Sequence, residues 1–151
     1  MKKIKIYIGL VLLMGFISTA AINYPATNTP ENTVEETGIS FFHGTWSEAL
    51  AKAKAENKLI FVDAYTTWCG PCKWMSRNAF TDAEVGEFFN KNFICVKVDC
   101  EKGEGIELAR KWKITAYPTL LGIDAAGNVK QRNVGALGAD ALLSLGKNWA
   151  K

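Results

Sequence analysis

Two cysteines separated by two residues follow a short apolar run, and this arrangement constrains the chain more than any other feature. The apolar residues 59–62 predict a buried strand, and Cys69 and Cys72 stand where a helix is predicted to begin. Cysteines at this spacing in the first turn of a helix can approach closely enough to form a disulfide, and the bond can reopen without moving the fold. The sequence therefore predicts a strand, a turn and a helix that carry a dithiol redox centre.

The two thiols have different predicted roles because they occupy different positions in the helix. Cys69 stands at the helix N-terminus, where unpaired N–H groups and the helix dipole favour an anion, so we expect it to be the attacking thiolate. Cys72, one turn further on, is predicted to attack the mixed disulfide on Cys69 and release the reduced partner. Pro71 fits the first turn, where no N–H donor is needed, and stiffens the loop between the sulfurs.

A second motif precedes another apolar run, because Tyr117-Pro118-Thr119 comes before residues 120–123 and a proline at the first residue of a strand marks a boundary. The chain now shows four ordered landmarks: Asp63, the Trp-Cys-Gly-Pro-Cys-Lys motif at 68–73, the Tyr-Pro-Thr motif at 117–119, and residues 133–137. With these landmarks, residues 39–151 resemble thioredoxins. The resemblance implies a thioredoxin-like α/β fold, a three-layer sandwich with a mixed central sheet flanked by helices, in which Pro118 is cis and faces the disulfide. Residues 78–85 are similar to exported thioredoxin-like proteins and to the C-terminal domain of the bacterial transmembrane thiol-disulfide interchange protein.

Asp63 is an acid inside an apolar strand, six residues before Cys69. Burying an ionised carboxylate is costly, so desolvation is expected to raise its pKa. The resemblance implies that Asp63 relays the proton of Cys72, and the alternative is a partly hydrated acid bonded to backbone at the strand end. Thioredoxins often carry a lysine near this acid, and a gap-free comparison places Cys95 at that position, which leaves Asp63 without this cation. Lys97, two residues along the same strand face, is a candidate substitute.

An aromatic and glycine-containing surface is predicted around the dithiol. Trp68 can shield the disulfide and offer a flat apolar contact, and Tyr117 can border a peptide groove with its hydroxyl in water. The resemblance implies that the backbone beside the cis-proline pairs with an extended substrate strand. The alternative is that Trp68 and Tyr117 only cap the core. The candidate substrate-binding residues are Trp68, Gly70, Pro71, Tyr117, Pro118 and Gly135.

Of the two further cysteines, Cys95 lies on the next predicted strand and Cys100 at its end. At ~3.3 Å per residue they would be ~17 Å apart and on opposite faces, so they cannot bridge one another. Cys95 is predicted to be a small buried core residue and Cys100 an inert thiol at the strand end. A different class of function, a zinc site with four thiolates from Cys69, Cys72, Cys95 and Cys100, is disfavoured by this spacing.

The remaining pattern predicts alternating strands and helices. Strands are expected at 39–42, 59–65 and 93–99, and a hairpin at 119–123 and 129–134. Helices are expected at about 45–56, 69–78, 81–91, 104–112 and 139–150, with capping boxes that begin at Thr45 and Thr81. Trp74 and Met75 are predicted to pack inside the fold, and His43 to be exposed.

The N-terminus carries a predicted export signal. Lys2, Lys3 and Lys5 precede apolar residues 6–17 and a small-residue stretch, so residues 1–20 are interpreted as a signal peptide, with an uncleaved membrane anchor as the alternative. Residues 21–38 are expected to be a flexible linker, and residues 39–151 the domain. Residues 1–20 hold three of the 18 Lys and Arg and none of the 15 Asp and Glu, so their removal lowers the formal net charge from +3 to 0. No nucleic-acid partner is indicated.

These features favour an exported, periplasmic thiol-disulfide reductase that uses the Cys69–Cys72 pair. Its expected partners are disulfide-containing exported proteins and a membrane electron donor, and a monomer is expected. No cofactor or metal is required, since the two sulfurs carry the electrons. The Gly-Pro dipeptide resembles that of reducing thioredoxins, while a disulfide oxidase or isomerase on the same scaffold stays open as the alternative.

Overall fold

The computed structural model describes residues 37–151, so the predicted signal peptide and the linker up to residue 36 lie outside the described residues. The elements are α1 (Trp46–Glu56), β1 (Leu59–Tyr65), α2 (Gly70–Arg77), a 3₁₀ helix (Ala79–Thr81), α3 (Ala83–Asn92), β2 (Phe93–Asp99), α4 (Gly105–Lys111), β3 (Thr119–Ile123), β4 (Val129–Val134) and α5 (Ala139–Trp149). None of the helices between residues 37 and 151 combines the length and apolar character needed to cross a bilayer.

The strands form one mixed sheet in the order β2-β1-β3-β4. β1 runs parallel to β2 and antiparallel to β3, and β3 and β4 form the predicted hairpin. The register pairs Asp63 with Lys97 across β1 and β2, and Ala64 with Thr119 across β1 and β3. The carboxyl ends of β1 and β2 and the start of β3 therefore meet at one edge of the sheet.

Helices cover both faces of the sheet, which gives the predicted three layers. The alternating side chains of the strands divide the buried apolar residues into two cores. In the first core, α1 and α4 pack on the face that carries Val62 and Val96. In the second core, α2, α3 and α5 pack on the face that carries Phe61 and Leu120.

The predicted strand at 39–42 is wrong. Residues 38–42, which we call the strap, cross from the 3₁₀ helix to the outer edge of β2 and form no ladder. The Ile39 N–H donates to the Phe80 carbonyl, and only the Phe42 N–H reaches β2, where it donates to the Cys95 carbonyl. Because these two bonds go to different elements, the strap is extended without joining the sheet.

The two predicted capping boxes had different outcomes. At α1 the Thr45 side chain accepts the Glu48 N–H, and the Glu48 carboxylate accepts the Thr45 N–H, as predicted. At α3 the prediction was wrong by one residue, because Asp82 is the N-cap and its carboxylate accepts the Val85 N–H at 3.0 Å. Thr81 instead ends the 3₁₀ helix, and its hydroxyl donates to carbonyl groups one turn earlier.

The strap lies so close to α3 that Gly86 has no room for a side chain. A Cβ at Gly86 would overlap the backbone of Gly38. We expect Gly86→Ala to lower the free energy of unfolding by about 1–3 kcal/mol in urea titrations, because backbone must move. Gly138→Ala is the control, since a Cβ there meets nothing within 4 Å, and it should change stability by less than about 1 kcal/mol. Equal effects of the two substitutions would contradict the close packing.

Candidate active site

The two cysteines of the first motif form a disulfide where β1 gives way to α2. The S–S distance between Cys69 and Cys72 is 2.06 Å and the Cα atoms are 5.3 Å apart, which confirms that the pair is close enough to bond. Cys69 is the N-cap of α2, and its sulfur accepts the Cys72 N–H at 3.1 Å. Both cysteines are buried, while Gly70 and Pro71 between them are exposed. A sulfur at a helix N-cap accepts a hydrogen bond from a backbone N–H, and this bond favours the thiolate form of the cysteine.

The Tyr-Pro-Thr loop lies at the same edge of the sheet as the disulfide. The Tyr117–Pro118 peptide bond is cis, as the resemblance implied. Pro118 is buried directly before β3, and its carbonyl accepts the Gly135 N–H at 2.9 Å. Gly135 has φ of +102°, a conformation that favours glycine. These contacts bring Gly135 to the proline loop.

Trp68 stands out from the surface instead of capping the core. Its side chain is 64% exposed, and its ring packs edge-on against Tyr117 with centroids 5.9 Å apart. The indole N–H donates to both carboxylate oxygens of Glu101 at 3.0 Å. Tyr117 is half-buried and packs against the first core. Within residues 37–151, the main-chain N–H and carbonyl of Tyr117 have no backbone partner.

Glu101 is the contact that the sequence analysis missed. It follows β2 by two residues, and β2 runs parallel to β1. Residues that follow two adjacent parallel strands meet at the same edge of the sheet, so Glu101 reaches Trp68 although 33 residues separate them. The contact of Glu101 with Trp68 could have been predicted from the parallel pairing of β1 and β2, but no local motif indicates it.

The buried acid of β1 has a cationic neighbour. Asp63 is 0% exposed, so the interpretation as a partly hydrated acid is wrong. Its Oδ2 accepts a hydrogen bond from Lys97 Nζ at 2.6 Å, and the same ammonium donates to Ser76 Oγ at 3.0 Å. Asp63 Oδ1 is buried without a partner among the described residues. Burial raises the pKa of Asp63, and the attraction of Lys97 lowers it by less.

Lys97 therefore takes the place that the sequence comparison left without a cation. It pairs directly with Asp63 in the parallel register of β1 and β2, which explains why the ammonium reaches the carboxylate. Cys95, two residues earlier, lies on the same face but packs into the second core, and its thiol donates to the Phe89 carbonyl at 3.8 Å.

The two remaining cysteines lie on opposite faces of the sheet, as predicted. Cys95 is buried, as predicted, and Cys100 is buried as well. Cys95 belongs to the second core and Cys100 to the first. Burial raises the pKa of Cys95 to about 12 and is the main cause that raises the pKa of Cys100 to about 11. The four sulfurs do not converge, so the four-thiolate zinc alternative is wrong. Between residues 37 and 151 no group of potential ligands is arranged to hold a metal ion.

One packing prediction for α2 is wrong. Met75 is fully buried, as predicted, but Trp74 is 48% exposed. Successive helical residues are rotated by about 100°, so Met75 shares the inner face of α2 with Cys72, three residues before it, and Trp74 turns outward. The Leu137 N–H lies 3.5 Å from the Met75 sulfur, which places the loop after β4 beside the dithiol helix.

A disulfide at a strand-to-helix junction, with a cis-proline loop at the same sheet edge, defines a thiol-disulfide redox centre. Residues 42–125 match the family model described as Thioredoxin-like. The chain belongs to the thioredoxin-like family, and the Cys69–Cys72 disulfide lies within the matched region.

Three relatives illustrate the similarity. Thioredoxin H2-2 of Oryza sativa is 41% identical over 93 residues, which are 61% of this chain and 64% of that protein. The thiol:disulfide interchange protein DsbD of Colwellia psychrerythraea is 28% identical over 141 residues, 87% of this chain and 23% of that protein. A solution structure of a protein proposed to be a disulphide-isomerase, from Bacteroides thetaiotaomicron, is 47% identical, has a TM-score of 0.68, and covers 78% of this chain and 97% of that one. The chain thus spans less than two thirds of the length of either curated relative.

Proposed function

We propose that the protein is an exported thiol-disulfide reductase that transfers two electrons from the Cys69–Cys72 dithiol to disulfides of exported proteins. The observation that carries the proposal is the position of Cys69, whose sulfur accepts an amide N–H at the N-cap of α2. This position stabilises a thiolate before any substrate arrives. The thiolate is the species that attacks a disulfide.

The reaction proceeds by two exchanges. The Cys69 thiolate attacks one sulfur of the substrate disulfide, which forms a mixed disulfide and releases the first substrate thiolate. Cys72 then loses its proton and attacks the Cys69 sulfur, which breaks the mixed disulfide and releases the second substrate thiolate. The substrate gains two electrons, and the pair ends as the disulfide seen in the structure.

Asp63 is the proposed acceptor of the Cys72 proton. A buried carboxylate with a raised pKa holds a proton near neutral pH better than an exposed one. The Lys97 ammonium limits the rise in the pKa of Asp63, because Lys97 Nζ lies 2.6 Å from Asp63 Oδ2 and stabilises the ionised carboxylate. Asp63 Oδ1, which has no partner within residues 37–151, is the oxygen available for proton transfer.

The proposed substrate surface surrounds the disulfide. Trp68 offers an exposed ring, and the unpaired main chain of Tyr117 offers an edge to which an extended polypeptide can add as a strand. Gly70 and Pro71 are exposed between the cysteines, and Gly135 next to Pro118 leaves space where a Cβ would meet nothing within 4 Å. These groups suit a flat, extended segment of an exported protein.

Export and a membrane electron donor belong to the same proposal. The basic and apolar N-terminal residues are typical of an export signal, and this pattern supports a periplasmic domain. An oxidising compartment keeps an unsupplied dithiol as a disulfide, so a reductase there needs a donor. The similarity to a thiol:disulfide interchange protein over 87% of this chain supports a donor that works by the same dithiol exchange.

A disulfide isomerase or oxidase is the second candidate, supported by the 47% identity to the Bacteroides protein. The reduction potential of the Cys69–Cys72 pair, titrated against a dithiol buffer, separates the candidates. We expect a value near about −270 mV, as for a reducing thioredoxin, whereas a value at or above about −180 mV would contradict the reductase and favour the isomerase or oxidase. A variant with Cys95→Ala and Cys100→Ala should have the same potential, since both are free thiols that are buried in the two cores.

A further inference from the structure

The ammonium group of Lys97 is enclosed by aromatic rings. Its Nζ lies 4.7 Å from the ring centroid of Phe80, and 5.0 Å from those of Phe41 and Tyr65. Each distance is within the range of a cation–π interaction. Asp63 Oδ2 and Ser76 Oγ are the polar partners of the same ammonium. Rings and polar groups together hold one cation against one buried acid.

Phe41 differs from the other two rings because it comes from the strap. Four hydrogen bonds hold this segment: Ile39 N–H to the Phe80 carbonyl, Phe42 N–H to the Cys95 carbonyl, Ser40 N–H to Asn90 Oδ1, and Asn90 Nδ2 to the Gly38 carbonyl. The ring of Phe41 also packs edge-on against Phe80, with centroids 5.3 Å apart. The bonds of its neighbours therefore hold the segment that carries Phe41, and the contact with Phe80 holds its ring.

A lysine at this place needs such support. The Lys97 side chain is 26% exposed, and it is long enough to turn toward water, where its charge is well solvated. Holding it in one conformation costs side-chain entropy, which the rings offset by attracting the ammonium and by keeping water from its inner side. Without this support the ammonium would spend less time at 2.6 Å from Asp63.

We propose that Phe41 is a positioning residue whose ring holds the Lys97 ammonium against Asp63. The inference rests on the proposed function, in which Asp63 receives the proton of Cys72. The Thioredoxin-like family model matches from residue 42, so Phe41 lies just outside the matched region. The strap thus adds a contact from outside that region to the ion pair of Asp63 and Lys97.

Few titratable groups contact the Lys97 ammonium. Asp63 and Lys97 form the ion pair, and the Tyr65 phenol is the remaining titratable group among the rings and partners. Burial is the main cause that raises the pKa of Tyr65, and the charges of Asp99, Asp63 and Cys100 add to it. In the oxidised protein Cys69 and Cys72 do not titrate. The carboxyl carbon of Asp63 then reports its own ionisation in a ¹³C NMR titration.

The test compares Phe41→Leu with Phe41→Tyr in the oxidised protein. Leucine keeps an apolar side chain but removes the ring face, so Lys97 moves away and the titration midpoint of Asp63 should rise by about 0.5 pH unit. Tyrosine restores the ring and should restore the midpoint of the original protein. Phe88→Leu is the matched control, because Phe88 is a half-buried phenylalanine that packs against the same second core as Phe41 and contacts Phe89 and Phe93. It should leave the midpoint unchanged.

A second comparison removes the cation. In a Lys97→Met background, Phe41→Leu should no longer move the Asp63 midpoint, because the two effects run through one interaction. Phe41→Met, which also lacks a ring, repeats the test if Phe41→Leu does not fold. An unchanged midpoint in the ring-free variants, an equal shift in Phe88→Leu, or a shift that persists without Lys97 would each overturn the inference. The NMR midpoint needs no turnover, so failure of the reductase proposal would appear separately, in the reduction potential and in substrate reduction.

Discussion

Cys69→Ser should abolish reduction of disulfide substrates, whereas Cys72→Ser should stop the reaction one step later with the substrate bound covalently. Serine at position 69 removes the attacking thiolate, so no mixed disulfide forms. Serine at position 72 leaves the Cys69 sulfur at the helix N-cap but removes the group that resolves the intermediate. Two measurements are needed. Turnover of a disulfide-bonded test protein is followed with dithiothreitol as the reductant. Separately, each pre-reduced variant is freed of dithiothreitol, mixed with the test protein and run on non-reducing electrophoresis.

The electrophoresis distinguishes the two variants even though both lose turnover. Cys72→Ser should show a band with the summed mass of enzyme and substrate that disappears on reduction, and Cys69→Ser should show none. The variant with Cys95→Ala and Cys100→Ala is the control, and it should retain turnover because both thiols are buried with raised pKa values and are poor nucleophiles. Full turnover of either single serine variant would contradict the dithiol mechanism.

The parts of the fold that the sequence predicted correctly are those with local causes. The runs 59–65 and 93–99 are apolar strands with clear ends, and the structure places β1 and β2 at those bounds. The disulfide follows from two cysteines in one helical turn, and the capping box at Thr45 from residues three apart. Each of these signals lies within a few neighbouring residues.

The parts that the sequence did not predict depend on contacts between distant residues. The contact of Glu101 with Trp68 requires the parallel register of β1 and β2, and the exposure of Trp74 requires knowledge of which face of α2 is buried. The strap has the composition of a strand, and only the position of its partners shows that it joins no ladder. For Lys97 the sequence offered a candidate cation, and the strand register supplied the reason that it reaches Asp63.

Asp63→Asn should slow the resolving step while the first attack by Cys69 is retained. The amide cannot accept the Cys72 proton, so the mixed disulfide should persist about 100-fold longer, the lower range for loss of a general base. Rapid mixing of the reduced protein with a substrate disulfide, followed by acid quench, measures this lifetime. The slowing should be largest near neutral pH and should shrink at alkaline pH, where hydroxide removes the thiol proton. An unchanged lifetime at neutral pH would exclude Asp63 from the proton transfer.

The same substitution should stabilise the oxidised protein at pH 8. Burial raises the pKa of Asp63, so the folded protein keeps this proton at pH values where the unfolded chain has lost it. The free energy of unfolding therefore falls as the pH rises from 3.8, the ordinary pKa of an aspartate in the unfolded chain, through the higher pKa of Asp63 in the folded state. The asparagine side chain of the Asp63→Asn variant cannot ionise, so the variant lacks this decline and should be the more stable of the two proteins at pH 8.

Asp124→Asn is the control of opposite sign for this stability measurement. Asp124 lies in the β3–β4 turn, and its carboxylate accepts hydrogen bonds from Asn128 and from the Ala126 N–H. The bonds from Asn128 are the main cause that lowers its pKa, and the Ala126 bond adds to it. The ionised Asp124 carboxylate therefore adds to the stability of the folded protein above pH 3.8, the ordinary pKa of an aspartate. This stabilisation is lost as the pH falls through the lower pKa of the folded state. Asp124→Asn should therefore lose stability at pH 8, where Asp63→Asn gains it. Urea titrations from pH 4 to pH 9 measure both, and a loss of stability in Asp63→Asn at pH 8 would mean that the attraction of Lys97 outweighs burial of the charge.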